Sequence, residues 1–315
     1  MSRRALALFV VMCVIWGIPY LFIKVAVSGM TPASLVFLRT GIGAVLLVPV
    51  AAARRELRPV LPAWRWVIAY TVAELGIPWF LLSSAETRLT SSLSGLLVAA
   101  VPLIGAVLAW VTRSEHQLDR RRLAGLGLGL IGVAVLLGFD ISTRDLGAVA
   151  EVGLCAVGYA VGPMIISRKL SHLPSIGVVA ASLTLAAVAY APLGIAQLAG
   201  GHPTPRALAS AAALGVVCTA LAFVLFFALI AEIGPVRSTV ITYFNPAVAL
   251  VLGVTILGEP LRIGALLGFA LILAGSILAT RRAPGTASPA AEGARAVAAG
   301  GVGLGDAGAE PAELR

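Results

Sequence analysis

Hydrophobic positions along this chain run on without alternation, in ten stretches broken by short polar segments. They fall at about 5–27, 33–53, 66–84, 92–112, 123–139, 147–167, 175–198, 208–230, 238–257 and 263–280. About 20 apolar residues at about 1.5 Å rise cross a bilayer core. Each stretch is twice the length of a barrel strand and lacks the inside–outside alternation of one, so helices are the expected spanning form. The prediction is an all-α membrane protein with ten transmembrane helices and short connections, so that sequential helices are neighbours.

Composition agrees with that pattern. The chain is 59% hydrophobic and only 12% charged, whereas a soluble globule carries about 25% charged residues. In a soluble protein the net charge of +9 would point to nucleic acid. Here it is read as basic loops on one membrane face, and no nucleic-acid partner is expected. Cys13, Cys155 and Cys218 lie inside apolar runs without metal spacing, and are expected to be reduced core residues. The basic N-terminal start is followed by no small-residue cleavage site, and the apolar run continues to Val27, so it is expected to be the first membrane helix. Residues 283–315 are rich in Ala, Gly, Pro and Glu, and read as a disordered cytoplasmic tail.

Loop charge orients the helices. With the N-terminus inside, the inner segments hold Arg3, Arg4, Arg54, Arg55, Arg58, Arg65, Arg113, Arg120, Arg121, Arg122, Arg168, Lys169, Arg237, Arg281 and Arg282. The outer segments hold only Arg88, Arg144, Arg206 and Arg262. That asymmetry places both termini in the cytoplasm, which an even helix count requires.

The two halves repeat one another. Pro102 and Glu115 are 13 residues apart, as are Pro246 and Glu259, and the two pairs are offset by 144. Pro19 and Pro163 share that offset, as do Lys24 and Arg168; Pro49 and Pro192, and Gly132 and Gly275, are offset by 143. Five helices per half is odd, so the second half enters the membrane from the opposite side, giving two inverted five-helix repeats, 1–142 and 143–282. An interior proline frees the carbonyl four residues earlier. Pro19, Pro102, Pro163 and Pro246 are therefore expected to kink helices 1, 4, 6 and 9 at matching depths, around a central cavity or as packing features.

Several segments together carry a resemblance to a known family. WGIPYLFIKVAV (16–27) and TPASLVFLRTGIGAVLL (31–47) resemble the first two helices of EamA-type members of the drug/metabolite transporter superfamily. The stretches 94–115 and 238–261 resemble their fourth and ninth helices, each ending in the family's glutamate, and 125–137 and 264–279 resemble the closing helix of each half. The likeness spans about 5–281 in both repeats. It departs at Arg113-Ser114-Glu115, where the family has a Gly-Glu pair. It implies a secondary-active carrier working by alternating access, often an exporter of small organic metabolites, amino acids or drugs, in the plasma (inner) membrane. An uptake permease, or a non-transport polytopic protein such as a lipid scramblase, is the alternative.

Ionisable groups inside a membrane are costly and mark function. Lys24, Arg39 and Glu151 all fall in the outer half, where their charges could compensate one another, and Lys24 could also snorkel to the interface. Arg39 is expected to pair with Glu151 or to bind an anionic substrate group. Glu74 lies mid-span in the third helix, where desolvation disfavours a charged carboxylate, and Pro78 loosens the backbone beside it. Neither has a counterpart in the second half, so Glu74 is a candidate to carry a coupling proton or to meet a cationic substrate group. Trp16, Tyr20, Trp79, Tyr159, Tyr243 and Asn245 could add aromatic walls and hydrogen bonds. Lys24, Pro78, Pro102, Glu115, Glu151, Pro246 and Glu259 are assigned gating or structural roles. His116, His172 and His202 all fall in loops, and neither a metalloprotease motif nor a phosphate-binding loop occurs. No catalytic residue, metal or cofactor is therefore expected; the expected partners are a small-molecule substrate, protons as a possible coupling ion, and the lipid bilayer.

Overall fold

The computed structural model describes residues 1–112, 120–138 and 145–280. The residues described are helical, with no strand among them. Ten spans are long and apolar enough to cross a membrane: α1 (Arg3–Val27), α2 (Pro32–Ala53), α3 (Arg58–Ala85), α4 (Ser91–Val111), α5 (Arg120–Gly138), α6 (Leu146–Leu170), α7 (Ser175–Gly200), α8 (Pro205–Ile233), α9 (Thr239–Leu257) and α10 (Ile263–Thr280). The chain is a multi-pass membrane protein. The expected tail and Glu115 lie outside the described residues.

Starts and stops follow local chemistry. Thr31 and Thr204 each cap a helix opened by proline, their side chains accepting from Ser34 N and Ala207 N. α9 stops at Gly258, whose φ of 67° is the left-handed conformation that glycine adopts without strain. The Glu259 amide then donates back to the Gly253 carbonyl at 3.0 Å.

The helices pair according to the repeat. α2 lies on α7, α4 on α9 and α5 on α10, while α1 packs on α8 and α3 on α6. Exchanging the halves maps the first three pairs onto themselves and turns α1·α8 into α6·α3. A two-fold relation between two five-helix repeats generates that pattern. The α5·α10 seam is the tightest, because glycines bring backbone against backbone. A Cβ added at Gly275 would stand 2.6 Å from the Gly125 carbonyl oxygen, and one at Gly132 would stand 2.7 Å from the Ile272 nitrogen.

The prolines act unequally. Pro19 splits α1 after Ile15, and Pro102 follows a break in α4 after Val98. Pro246 opens the regular part of α9 after a 3-10 turn, Thr239–Tyr243. Pro163 stays inside regular α-helix and is followed by a wide π turn, Ile166–Leu170. The expectation of matched kinks therefore holds for α4 and α9 and fails for the α1–α6 pair, because α1 breaks at Pro19 while α6 runs through Pro163 and widens only beyond it. Two further π turns, Thr71–Gly76 in α3 and Val216–Leu221 in α8, sit at equivalent places in the halves. The loosened backbone near Glu74 is thus shared by the repeats, correcting the expectation that it is particular to the first. The glutamate and Pro78 still break the duplication, with Thr219 and Phe223 in their places.

Candidate functional site

The two π turns flank Arg39. Its guanidinium leaves α2 only 7% exposed. Nε donates to Thr219 Oγ1 at 3.0 Å, inside the wide turn of α8. On the other side the guanidinium carbon stands 3.6 Å from the centre of the Trp79 ring, one turn beyond the wide turn of α3. Tyr159, Cys218, Tyr20 and Cys155 lie within its electrostatic reach. The Glu86 carboxyl also lies within reach, but among the described residues no carboxylate forms an ion pair with it.

The expected Arg39–Glu151 pair is therefore corrected. Glu151 accepts from Arg88 at 2.6 Å, and both side chains are partly exposed. Arg88 lies in the α3–α4 turn and bonds one oxygen of Glu151, while the other, Oε2, is buried without a partner among the described residues. Lys24 joins no ion pair with Arg39 or Glu151. Its ammonium donates to the backbone carbonyls of Glu86 and Leu89, both at 2.7 Å, stitching α1 to the α3–α4 turn.

Glu74 projects from α3 onto α6. Its Oε2 is buried and has no hydrogen-bond partner. Gly158 and Gly162, one turn apart on α6, give α3 its close approach. A Cβ at Gly162 would stand 2.8 Å from the Glu74 carboxyl carbon, and one at Gly158 would stand 2.6 Å from the Pro78 ring. Tyr159, between these glycines, is within electrostatic reach of Tyr20, Arg39 and Glu74 together. Five of the eight candidate substrate contacts, Tyr20, Arg39, Glu74, Trp79 and Tyr159, thus converge from α1, α2, α3 and α6.

The other three do not join them. Trp16 packs against Phe226 and Phe223 of α8, with ring centres at 4.6 and 6.1 Å. The Tyr243 hydroxyl is 3.0 Å from Thr280 Oγ1 at the end of α10. With its nitrogen turned inward, the Asn245 amide donates to Ile241 O at 2.9 Å and to Cys13 O at 3.2 Å. The Cys13 carbonyl lies just ahead of the break in α1, so Asn245 supplies a donor there.

A second cluster gathers at the α3–α4 turn. Glu259, carried there by the Gly258 stop, accepts from Ser91 N at 2.7 Å, Ser92 N at 2.9 Å and Ser92 Oγ at 2.5 Å. Thr90 Oγ1 accepts from Leu93 N, so three of the free amides that open α4 are satisfied. A carboxylate at a helix N-terminus is well placed electrostatically. Glu86, one residue beyond the α3 span, is wholly buried there. Burial pushes its carboxyl well above the ordinary carboxylate range; Lys24 opposes that, and the Glu259 charge adds to it. Sequence reasoning missed Glu86, which falls two residues past the expected end of the third helix at 84. Its spacing from Leu75, Trp79 and Leu82, by 11, 7 and 4 residues, puts it on the buried stripe of α3 and was the available signal.

Comparison with known proteins places this architecture. The model of the EamA-like transporter family matches residues 3–138 and again 150–281. The chain belongs to the EamA-like transporter family. It is 25% identical over 276 residues to the uncharacterized transporter YvbV of Bacillus subtilis, covering 86% of this chain and 90% of that one. It is 26% identical to a "Probable amino-acid metabolite efflux pump" of Salmonella typhimurium, over 87% and 94% of the two chains. It is also 26% identical to a "Probable terminal-alkyne amino-acid exporter" of Streptantibioticus cattleyicolor, over 90% and 95%. A solved crystal structure, 24% identical, superposes with a TM-score of 0.62 over 89% of this chain and 98% of its own, and shares the fold.

Proposed function

We propose that this family member is a secondary-active carrier that exports a small amino-acid-like solute by alternating access between repeats 1–142 and 143–282. It sits in the plasma (inner) membrane with both termini cytoplasmic. The observation that carries the reading is the pair of opposite, underused groups around Tyr159. Arg39 is a buried cation held by a ring and a hydroxyl, with no carboxylate against it. Glu74 presents a buried oxygen without a donor. A zwitterion supplies a carboxylate to the first and an ammonium to the second, and Trp79, Tyr20 and Tyr159 frame its side chain. The names of the Salmonella and Streptantibioticus relatives support the same substrate class. In an exporter of this kind Glu74 alternates between the substrate ammonium and a coupling proton.

Counterflow in proteoliposomes tests the reading. Amino acids are compared with their amides, which lack the carboxylate, and with acids lacking the amine. Loss of one charged hydrogen bond costs about 1.5–3 kcal/mol, or about tenfold to hundredfold in affinity. Both truncated series are expected to lose exchange by about that factor. Glu74→Gln is expected to insert and fold while losing transport or its pH dependence. Equal exchange of amide and parent amino acid would remove Arg39 from the site, and an unchanged pH profile in Glu74→Gln would remove Glu74.

A further inference from the structure

The substrate reading leaves one buried carboxylate unused. Glu86 caps the C-terminus of α3 and is 0% exposed. Neither of its carboxyl oxygens has a hydrogen-bond partner. The charged groups of the turn are already engaged. Lys24 is committed to the Glu86 and Leu89 carbonyls. Glu259 holds three donors at the start of α4. Arg88, two residues on, is paired with Glu151. The other titratable groups within electrostatic reach of Glu86 are Arg39 on α2, Tyr20 on α1 and Cys155 on α6.

Two carboxylates therefore share one end of the bundle in opposite conditions. Glu259, with two amides and a hydroxyl, is solvated as an anion. Glu86 has no donor and an anion for a neighbour, which is the arrangement in which one of two acids keeps its proton. A metal cation would want the turn's carbonyl oxygens, and the Lys24 ammonium occupies two of them.

We propose that Glu86 is a proton-binding site that governs this end of the carrier. The proton is held while Glu259 is latched onto α4. It leaves to water when the latch opens, and the Glu86 carboxylate then takes Lys24, released from the two carbonyls, as its partner. A lone buried carboxylate without the proton is costly, so the closed latch and the bound proton stabilise each other. The site adds a second proton to the carrier reading and rests on it only for what the opening serves.

Spin labels at Thr87→Cys and Leu261→Cys, with Cys13, Cys155 and Cys218 replaced by alanine, report the separation of the two turns. The full-length chain is placed in nanodiscs, where both faces see one pH, and distances are read by double electron–electron resonance. A longer distance is expected to grow in as pH rises, with the open-to-closed ratio changing by at most about tenfold per pH unit, the limit for one proton. Glu86→Gln is expected to stay closed throughout. A parent distance that ignores pH overturns the proposal, as does a Glu86→Gln chain that still responds. A response driven by sodium at fixed pH also overturns it, by putting a metal ion in the site. If Glu86→Gln does not fold, difference infrared spectra of the Glu74→Gln chain decide. A protonated-carboxyl band that disappears at the midpoint of opening supports the site, and its absence overturns it. Counterflow failing for every solute while the distances still follow pH would remove the carrier reading and leave the proton site standing.

Discussion

Replacing Arg39 by methionine separates stability from function more sharply than any other single change. Methionine keeps the length and loses the charge. Taking a guanidinium out of water costs several kcal/mol even after relaxation. The Trp79 face returns about 2 kcal/mol when desolvated, and the bond from Nε to Thr219 about 1.5–3 kcal/mol. Among the described residues no carboxylate forms an ion pair with Arg39 to complete the compensation. Arg39→Met removes both sides of that balance. It leaves a thioether against the Trp79 ring, a contact favourable by about 0.3–1.5 kcal/mol. Thr219 keeps the option of bonding back to its own helix, so no polar atom is stranded. The expected outcome is a chain that melts at or above the parent temperature and exchanges no substrate. Melting is followed by tryptophan fluorescence of detergent-purified protein, and exchange by counterflow in proteoliposomes at matched reconstitution. Destabilisation by about 3 kcal/mol or more, the mark of a broken buried ion pair, would refute the reasoning by showing that Arg39 has an anionic partner. Wild-type exchange would refute its place in the substrate site.

Other changes test other contacts. Gly162→Ala places a Cβ against Glu74. Overpacking of about 1–3 kcal/mol is expected to exceed the helix-propensity gain of about 1 kcal/mol, and Glu74→Ser is expected to restore the lost thermal stability; a Gly162→Ala chain as stable as the parent would show that α3 and α6 are not so close. Glu259→Ala strands the Ser91 and Ser92 amides at about 1–3 kcal/mol each, so hydrogen exchange there is expected to speed up while α5 and α10 stay protected; unchanged protection would mean that Glu259 does not cap α4. Reporter tags after Met30 and after Pro203 are expected to face outside and one after Arg282 inside, and outside labelling of the last in intact cells would invert the orientation.

The spans were legible because lipid is a simple solvent: long apolar runs and loop arginines carry both number and order. The prolines carried the duplication, yet their backbone consequences were only half readable. Pro163 and Pro19 occupy one repeat position, and whether such a position breaks or widens depends on what packs beside it. Asn245 sits against the break in α1, a contact that lies far away in sequence. The same limit explains the site. Arg39 and Glu74 stood out as charges in apolar runs, but Thr219 looked like any helix-interior threonine until α8 was set against α2. Glu151 looked buried because the α3–α4 turn that brings Arg88 to it could not be foreseen.

The pairing of α1 with α8 and of α3 with α6 has a thermodynamic corollary. In an inverted duplication, any distortion that one half adopts is available to the other, so under the proposed alternating access the frame has two basins related by exchange. Were the halves identical, the basins would be degenerate and neither side of the membrane would be preferred. The tilt between them belongs to the residues that break the equivalence: Glu74 against Thr219, Lys24 against Arg168, and a Glu86 whose position in the second half is filled by an aliphatic side chain. A difference of about 1.4 kcal/mol changes their population ratio tenfold, within the reach of a single proton or a single hydrogen bond. The bulk of the bundle sets how the protein can move, and this short set of unmatched side chains sets where it rests.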